Sequence, residues 1–324
     1  MDFALEEHQD QLLRSAQQWV ERSWAKGDIS SPAGRRALWG EVTANGWERM
    51  LEADFGTATV LDAALLVERL GQGGCSLPIV GSGLIAPLVA EAAGAEVGDD
   101  NIGLLASEIG NDRPPTARGL EIADTVIATR WTTDRGPRRW EVTAIPIRDR
   151  AELVMVQTED RFVLCRLSDP DALRSTAWKQ ADSSMMELIW RVGAVLSAAE
   201  LVGLARAVLD RCVEYAGVRV QGGKPIGGHQ AVQHRLADML ASIDRSRYAM
   251  YAAAARVADD AVIVHQAKAL AARDCLAAIR SAHQVMGAIS FSAEDELHHF
   301  HKQALLAANE FGSANHHWSA LERV

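Results

Sequence analysis

The stretch Tyr215 to Gln230, YAGVRVQGGKPIGGHQ, separates two long apolar-periodic segments, Met186 to Val218 and Ala231 to Val257. Gly217, Gly222, Gly223, Pro225, Gly227 and Gly228 put too many breakers into it for one continuous helix. Two long helices must therefore meet at a short turn, and that turn carries Arg219, Gln221 and Lys224 beside several glycine amides. A planar guanidinium pairs with phosphate through two parallel hydrogen bonds, and glycines let backbone come close. The same residues also suit a helical hairpin with a solvated basic turn. On the residues alone both readings stand.

The helical pattern extends from Met185 almost to the end of the chain. Leu196, Ala199, Val202, Gly203, Ala207, Leu209 and Val213 form one stripe, with Gly203 placed for a close helix crossing. After the turn, Leu236, Leu240, Ile243, Tyr248 and Tyr251 continue it, and Val262 to Met286 reads as a third long helix. The tail holds a fourth helix and a short last one across Gly312. Long helices joined by short turns imply a bundle.

The N-terminal part is helical as well, over Phe3–Trp24, Arg36–Thr43, about Thr57–Leu70 and Gly83–Ala93. Between Asn101 and Leu188 the signal changes to short runs rich in β-branched and aromatic residues: IGLLAS, TVIAT, RRWEVTAIPI, ELVMVQ and RFVLCRL. With 33 Lys+Arg against 43 Asp+Glu the formal charge is −10, which argues against a nucleic-acid or anionic-membrane surface. Cys75, Cys165, Cys212 and Cys275 are scattered, which suggests reduced, buried thiols and a cytoplasmic protein. The acidic start MDFALEEHQDQ has no apolar core of a signal peptide. No run is expected to reach the roughly 18 apolar residues of a membrane span.

The central stretch, continued as AVQHRLADM, resembles the acyl-CoA dehydrogenase family, whose C-terminal domain usually reads RxQFGxPIxxxQ at this turn. Arg219, Gln221, Gly223, Pro225, Ile226 and Gln230 are kept, and Gly222 stands where the family has phenylalanine. Gln284-Val285-Met286-Gly287-Ala288-Ile289-Ser290-Phe291 is similar to the family's QxxGGxGF, with Ala288 and Ser290 in place of two glycines. The resemblance implies a mainly α fold: an N-terminal helical domain over 1–98, a reduced β middle domain over 99–187, and an oligomerising C-terminal four-helix bundle over 188–324. It implies FAD as cofactor, with Arg219, Gln221, Gln284, Gly287 and Ala288 toward its phosphates and adenosine. The family's flavin-facing strand, which ends in Gly-Ser-Asp, has no counterpart, and ASEIGNDRPPTARG is the nearest stretch.

The family's enzymes take an α-proton from an acyl thioester with a carboxylate while the flavin accepts a β-hydride. Gapless counting puts that Glu at Phe311, with Glu310 one residue away, or at Gly193 in members that carry it earlier. Both places lack a carboxylate, so no catalytic residue is assigned, and Glu200 in AAELVG is the other acidic candidate. Arg130, Arg135, Arg138, Arg139, Arg148 and Arg150 suit either CoA phosphates or a solvated loop face. His298, His299, His301, His316 and His317 lack a carboxylate-supported ligand pattern, so no metal is expected.

The combination resembles the small, base-less subunit of heteromeric acyl-CoA dehydrogenases of actinobacterial steroid catabolism. It implies a larger partner subunit in an α2β2 assembly, an acyl-CoA substrate and electron-transfer flavoprotein as acceptor. Two alternatives are a self-sufficient homo-oligomer with a displaced base, and a scaffold without flavin.

Overall fold

A computed structural model describes the chain apart from residues 1–4, 52–58, 96, 98–100, 109–114, 133–137, 148–151, 159–162, 170–172, 174–175, 293 and 323–324. Helices, then strands, then helices follow one another in the order the sequence implies, but the chain forms two compact units that draw on separated stretches. One contains Met1–Ala25, Val60–Cys75 and Ala194–Val324; the other contains Lys26–Thr59 and Ser76–Gly193.

In the first unit, α1 (Glu7–Arg22) lays Ala16, Trp19 and Val20 against α3 (Val60–Gln72). Gln9 donates to the buried carboxylate of Asp62 at 2.7 Å across the same contact. The long helix α5 (Ser183–Val218) crosses α3 at the point where Gly203 faces Glu68. A Cβ at Gly203 would lie 2.1 Å from the Glu68 carbonyl oxygen, so the close crossing requires glycine.

Helices α6 (Gln230–Ala254) and α7 (Ala261–Met286) form an antiparallel pair. Arg245 reaches Asp274 at 2.9 Å and Arg235 reaches Ser281 at 3.1 Å, which fixes that direction. Asp260 caps α7 by accepting from the Ile263 amide at 3.1 Å. Helices α8 (Leu297–Asn309) and α9 (Ala314–Leu321) pack on α7. The turn Gly287–Phe291 joins α7 to the α8 segment.

The second unit holds α2 (Pro32–Ala44), with Ser31 as its cap and Pro32 at its first position. The stretch expected as a helix from Gly83 begins earlier, as a π-helical Ile79–Ile85 followed by α4 (Ala86–Ala92). The strands are β1 (Ile102–Glu108), β2 (Ala117–Arg118), β3 (Thr125–Thr132), β4 (Arg139–Pro146), β5 (Leu153–Thr158), β6 (Val163–Leu167) and β7 (Lys179–Gln180). They form one sheet in the order β1-β3-β4-β7, with β1 parallel to β3, and a second in the order β2-β6-β5. Leu105, Leu120, Val126, Ala128, Val163, Cys165 and Leu167 fill the space between them.

Three expectations need correction. An 18-residue window of α5 has mean hydropathy 1.7, enough for a membrane span, where none was expected. That window is 89% buried within the protein, as befits a core helix. Val213 is 53% exposed, because past Leu209 the buried α5 stripe continues through Cys212 and Ala216 instead. On α6 the buried stripe is Met239, Ile243, Ser246 and Met250, while Leu240 and Tyr248 are exposed. A helix packed against one main neighbour buries a narrow a/d stripe, and apolar residues beside that stripe remain outside.

Candidate functional site

Arg219 closes the end of α5, its amide donating to Tyr215 O at 2.9 Å. A tight hairpin follows, β8 (Val220–Gln221) with β9 (Lys224–Pro225), pairing Val220 with Pro225 and Gln221 with Lys224. Gly222 and Gly223 lie at φ 62° and 80°, the left-handed pair that a two-residue hairpin turn requires. No strands are expected here from apolar periodicity, although the Gly222-Gly223 step is the signal of such a hairpin. The Ile226 amide donates to Arg219 O at 2.8 Å and its side chain is buried, pinning the hairpin to the start of α6.

Lys224 Nζ donates to Gly228 O at 2.8 Å, so its ammonium holds the turn together. Gln233 donates to Gly227 O at 2.9 Å for the same purpose. Arg219 and Gln221 are exposed, and Arg219 makes no ion pair among the described residues. Arg219 stands just past the C-terminal end of α5, and the hairpin after it leads into the start of the 25-residue α6, where the backbone dipole favours negative charge.

Gln284 is exposed on the last turn of α7, and Gly287 ends that helix at φ 69°, ψ −144°, its amide donating to His283 O. Ala288 is exposed, Ser290 is buried, and the Phe291 ring is 72% exposed. Because α6 and α7 run antiparallel, the start of one and the end of the other share an end of the pair, as the Arg235–Ser281 bond shows. The fold therefore brings the Arg219–Gln221 hairpin and the Gln284–Ala288 segment to that common end. A guanidinium, two side-chain amides and a helix start suit a ligand with several phosphate oxygens.

Phe311 is buried and has φ 56°, which makes it the one non-glycine residue at positive φ among those described. Its carbonyl accepts from His317 Nε2 at 3.0 Å. Glu310 lies just beyond α8, at φ −62° and ψ 138°, so its offset from Phe311 is one of extended backbone and not a helical rotation. Its carbonyl lies 3.5 Å from Ser197 Oγ on α5, one helical turn after the buried Gly193. Glu200 is buried and accepts from Gln303 Nε2 at 2.9 Å, and the same amide also donates to Cys75 O at 2.6 Å.

Of the basic cluster, Arg130 pairs with Glu141 at 2.5 Å and stacks over Trp178, while Arg138 pairs with Glu187 at 3.4 Å. Arg139 is exposed; Arg135, Arg148 and Arg150 lie outside the described residues. Burial pushes the thiols of Cys212 and Cys275 up to about 12, which leaves them inert. Two of the tail histidines pack on other histidines: His317 is buried against His265 at 2.7 Å, and His301 meets His283 at 3.0 Å. The ring centroids of His298 and His299 lie 3.9 Å from each other. Among the described residues no three His, Cys, Asp or Glu side chains are grouped to hold a metal ion.

Residues 184–324 match the family described as acyl-CoA dehydrogenase, C-terminal domain. The chain is 32% identical over 258 residues to the acyl-CoA dehydrogenase IpdE2 of Mycobacterium tuberculosis, covering 75% of this chain and 71% of that one. Its fold is similar to the ChsE4-ChsE5 complex from Mycobacterium tuberculosis, with a TM-score of 0.74 at 18% identity over 100% of this chain and 98% of the other. It is also similar to the Tcur3481-Tcur3483 steroid ACAD, with a TM-score of 0.75 at 18% identity over 98% and 97% of the two chains.

Proposed function

The chain belongs to the acyl-CoA dehydrogenase family, and we propose that it serves as the subunit without a base in a heteromeric, FAD-dependent acyl-CoA dehydrogenase. The observation that carries this reading is Phe311, a buried aromatic ring where gapless counting puts the family's Glu. FAD is the family's cofactor, and when bound it accepts the β-hydride of an acyl thioester. This chain's contribution is binding. Arg219 supplies a two-pronged cation to the phosphates, Gln221 and Gln284 supply side-chain amides, and Gly287 and Ala288 supply backbone that a ligand approaches closely. The α-proton then goes to a carboxylate of the larger partner subunit.

The reading extends to an α2β2 assembly, a steroid-derived acyl-CoA, electron-transfer flavoprotein as acceptor, a cytoplasmic location and the domains 1–98, 99–187 and 188–324. The fold's likeness to a two-chain complex and to a steroid ACAD supports the first two. Exposed Val213, Val218, Leu240 and Tyr248 offer apolar surface for a subunit contact.

The test is to purify the chain alone and together with a co-expressed full-length acyl-CoA dehydrogenase from the same source. The reading expects a colourless chain alone, a yellow complex of both, and acyl-CoA oxidation by the complex only. A yellow, active homo-oligomer would establish the self-sufficient alternative. A chain that stays colourless in every combination would establish the scaffold.

A further inference from the structure

The turn after α7 differs from its family pattern in a way that has a physical counterpart. A glycine-rich turn reaches its conformation through backbone freedom. This one keeps Gly287 at positive φ but carries Ala288 and Ser290. Ser290 is fully buried, and its hydroxyl donates to Gly287 O at 2.7 Å, closing the turn on itself. Since the hydroxyl proton is used there, the contact of 2.9 Å between Ser290 Oγ and His283 Nδ1 must have the imidazole as donor. A neutral His283 with its proton on Nδ1 carries a lone pair on Nε2. His301 Nδ1, 3.0 Å away on α8, then donates to it. The direction of every hydrogen bond from His301 through His283 and Ser290 to the Gly287 carbonyl is thus determined. Phe291 lies on the His283 ring, with centroids 4.6 Å apart and planes 20° apart, and its other face is in solvent.

We infer that His283 is a positioning residue: one tautomer of its ring, set by the Ser290 hydroxyl, holds the Gly287–Phe291 turn in the shape that presents its backbone and Phe291 to the cofactor. This rests on the cofactor-sharing reading above. Two cationic rings cannot keep the arrangement, because a second proton on the His283–His301 pair sets N–H against N–H at 3.0 Å. Around the pair, Asp295 favours a positive His283, while His298 opposes it and Arg280 opposes a positive His301. Burial is the largest influence on both rings and lowers both from the ordinary 6.5, so the neutral pair persists into mildly acidic solution. One cationic ring still leaves an N–H facing a lone pair, so the turn loosens only where both rings carry a charge.

Two readouts test this. Nitrogen NMR of histidine-labelled full chain should show His283 protonated on Nδ1, and Ser290→Ala should abolish that preference. A parent His283 protonated on Nε2 would overturn the inference whether or not FAD binds. FAD titrated into stripped complex should bind with constant affinity from pH 8 to 6.5 and about threefold or more weakly by pH 5. His283→Asn keeps a donor near the Nδ1 position and cannot titrate. It should hold FAD within about twofold of the parent at pH 8 and remove the acid dependence, whereas His283→Leu should weaken FAD about fivefold or more at every pH. An unchanged acid dependence in His283→Asn, or parental affinity in His283→Leu, would overturn the link between ring and turn. A parent complex that binds no FAD at any pH would overturn the subunit reading and the affinity part of this inference with it, and the NMR result would still decide the ring's tautomer.

Discussion

Gln303 on α8 donates one side-chain amide to two acceptors, Glu200 Oε1 at 2.9 Å and Cys75 O at 2.6 Å, and so ties α5 to the chain leaving α3. A buried carboxylate held this way has a structural task. Glu200→Gln and Glu310→Gln should therefore leave turnover of the assembled complex within about threefold, less than about 1 kcal/mol of barrier. Glu200→Ala, which leaves Gln303 short of an acceptor, should lower unfolding free energy by about 1–3 kcal/mol. Steady-state rates and denaturant titration check both, and a several-hundredfold loss of turnover in either Gln variant would return the chemistry to this chain.

Gly203 gives the sharpest stability test. The Cβ of Gly203→Ala would meet Glu68 O at 2.1 Å, a backbone atom that no rotamer change can clear. The helix-propensity gain of about 1 kcal/mol is outweighed by separating α3 from α5. Net destabilisation of about 2 kcal/mol or more is expected in thermal melts, and an unchanged melting temperature would mean the helices do not cross here.

His317 ties stability to pH. Burial, with Lys268 and His265 nearby, pushes its pKa from 6.5 down to about 2. The folded ring stays neutral while the unfolded one takes a proton below pH 6.5. Its contribution is therefore complete above 6.5 and is lost as pH falls from there toward 2, at up to about 1.4 kcal/mol per pH unit. His317→Gln keeps a donor for Phe311 O and does not titrate. Its urea midpoint should fall less than the parent's between pH 7 and 5, and parallel curves would refute the assignment.

Gly203 and the order of elements were legible in the sequence because apolar periodicity and a glycine within a stripe report local packing directly. The β8–β9 hairpin was legible too, in Gly222-Gly223, but was hidden by a reading of the segment as a helix connection. The tail histidines were not legible. Sequence spacing says where His283, Ser290 and His301 fall along the chain, but not that the packing of α8 on α7 brings the two rings and the hydroxyl into one directed chain. Leu240 and Tyr248 were misplaced for a related reason: how wide a helix's buried face is depends on how many neighbours it has.

The basic cluster makes a prediction about substrate. Arg138 is engaged by Glu187 and lies over the Trp140 ring, and Arg130 is engaged by Glu141. Side chains committed to pairs within the fold have little left for a CoA phosphate. Arg138→Gln together with Arg139→Gln should leave KM for acyl-CoA within about twofold. A rise of tenfold or more would assign the cluster to CoA.

Arg219 carries the central prediction. Its side chain is exposed without an ion pair among the described residues, while the backbone around it is fixed by bonds to Tyr215 and Ile226. Truncation should therefore spare folding and assembly, since those bonds involve only its main chain. Losing one charge-assisted, two-pronged contact to a phosphate costs about 1.5–3 kcal/mol, or roughly ten- to a hundredfold in FAD affinity. Arg219→Lys should recover only part of that, because an ammonium is a point charge without the planar fork. Raised salt should narrow the gap between parent and Arg219→Ala, since an exposed pair is screened within about 10 Å at 0.1 M. The measurement is FAD titration into stripped complex after sizing confirms that each variant assembles. If Arg219→Ala assembles and binds FAD as tightly as the parent, the hairpin is a connection between helices and the shared cofactor site loses its principal residue.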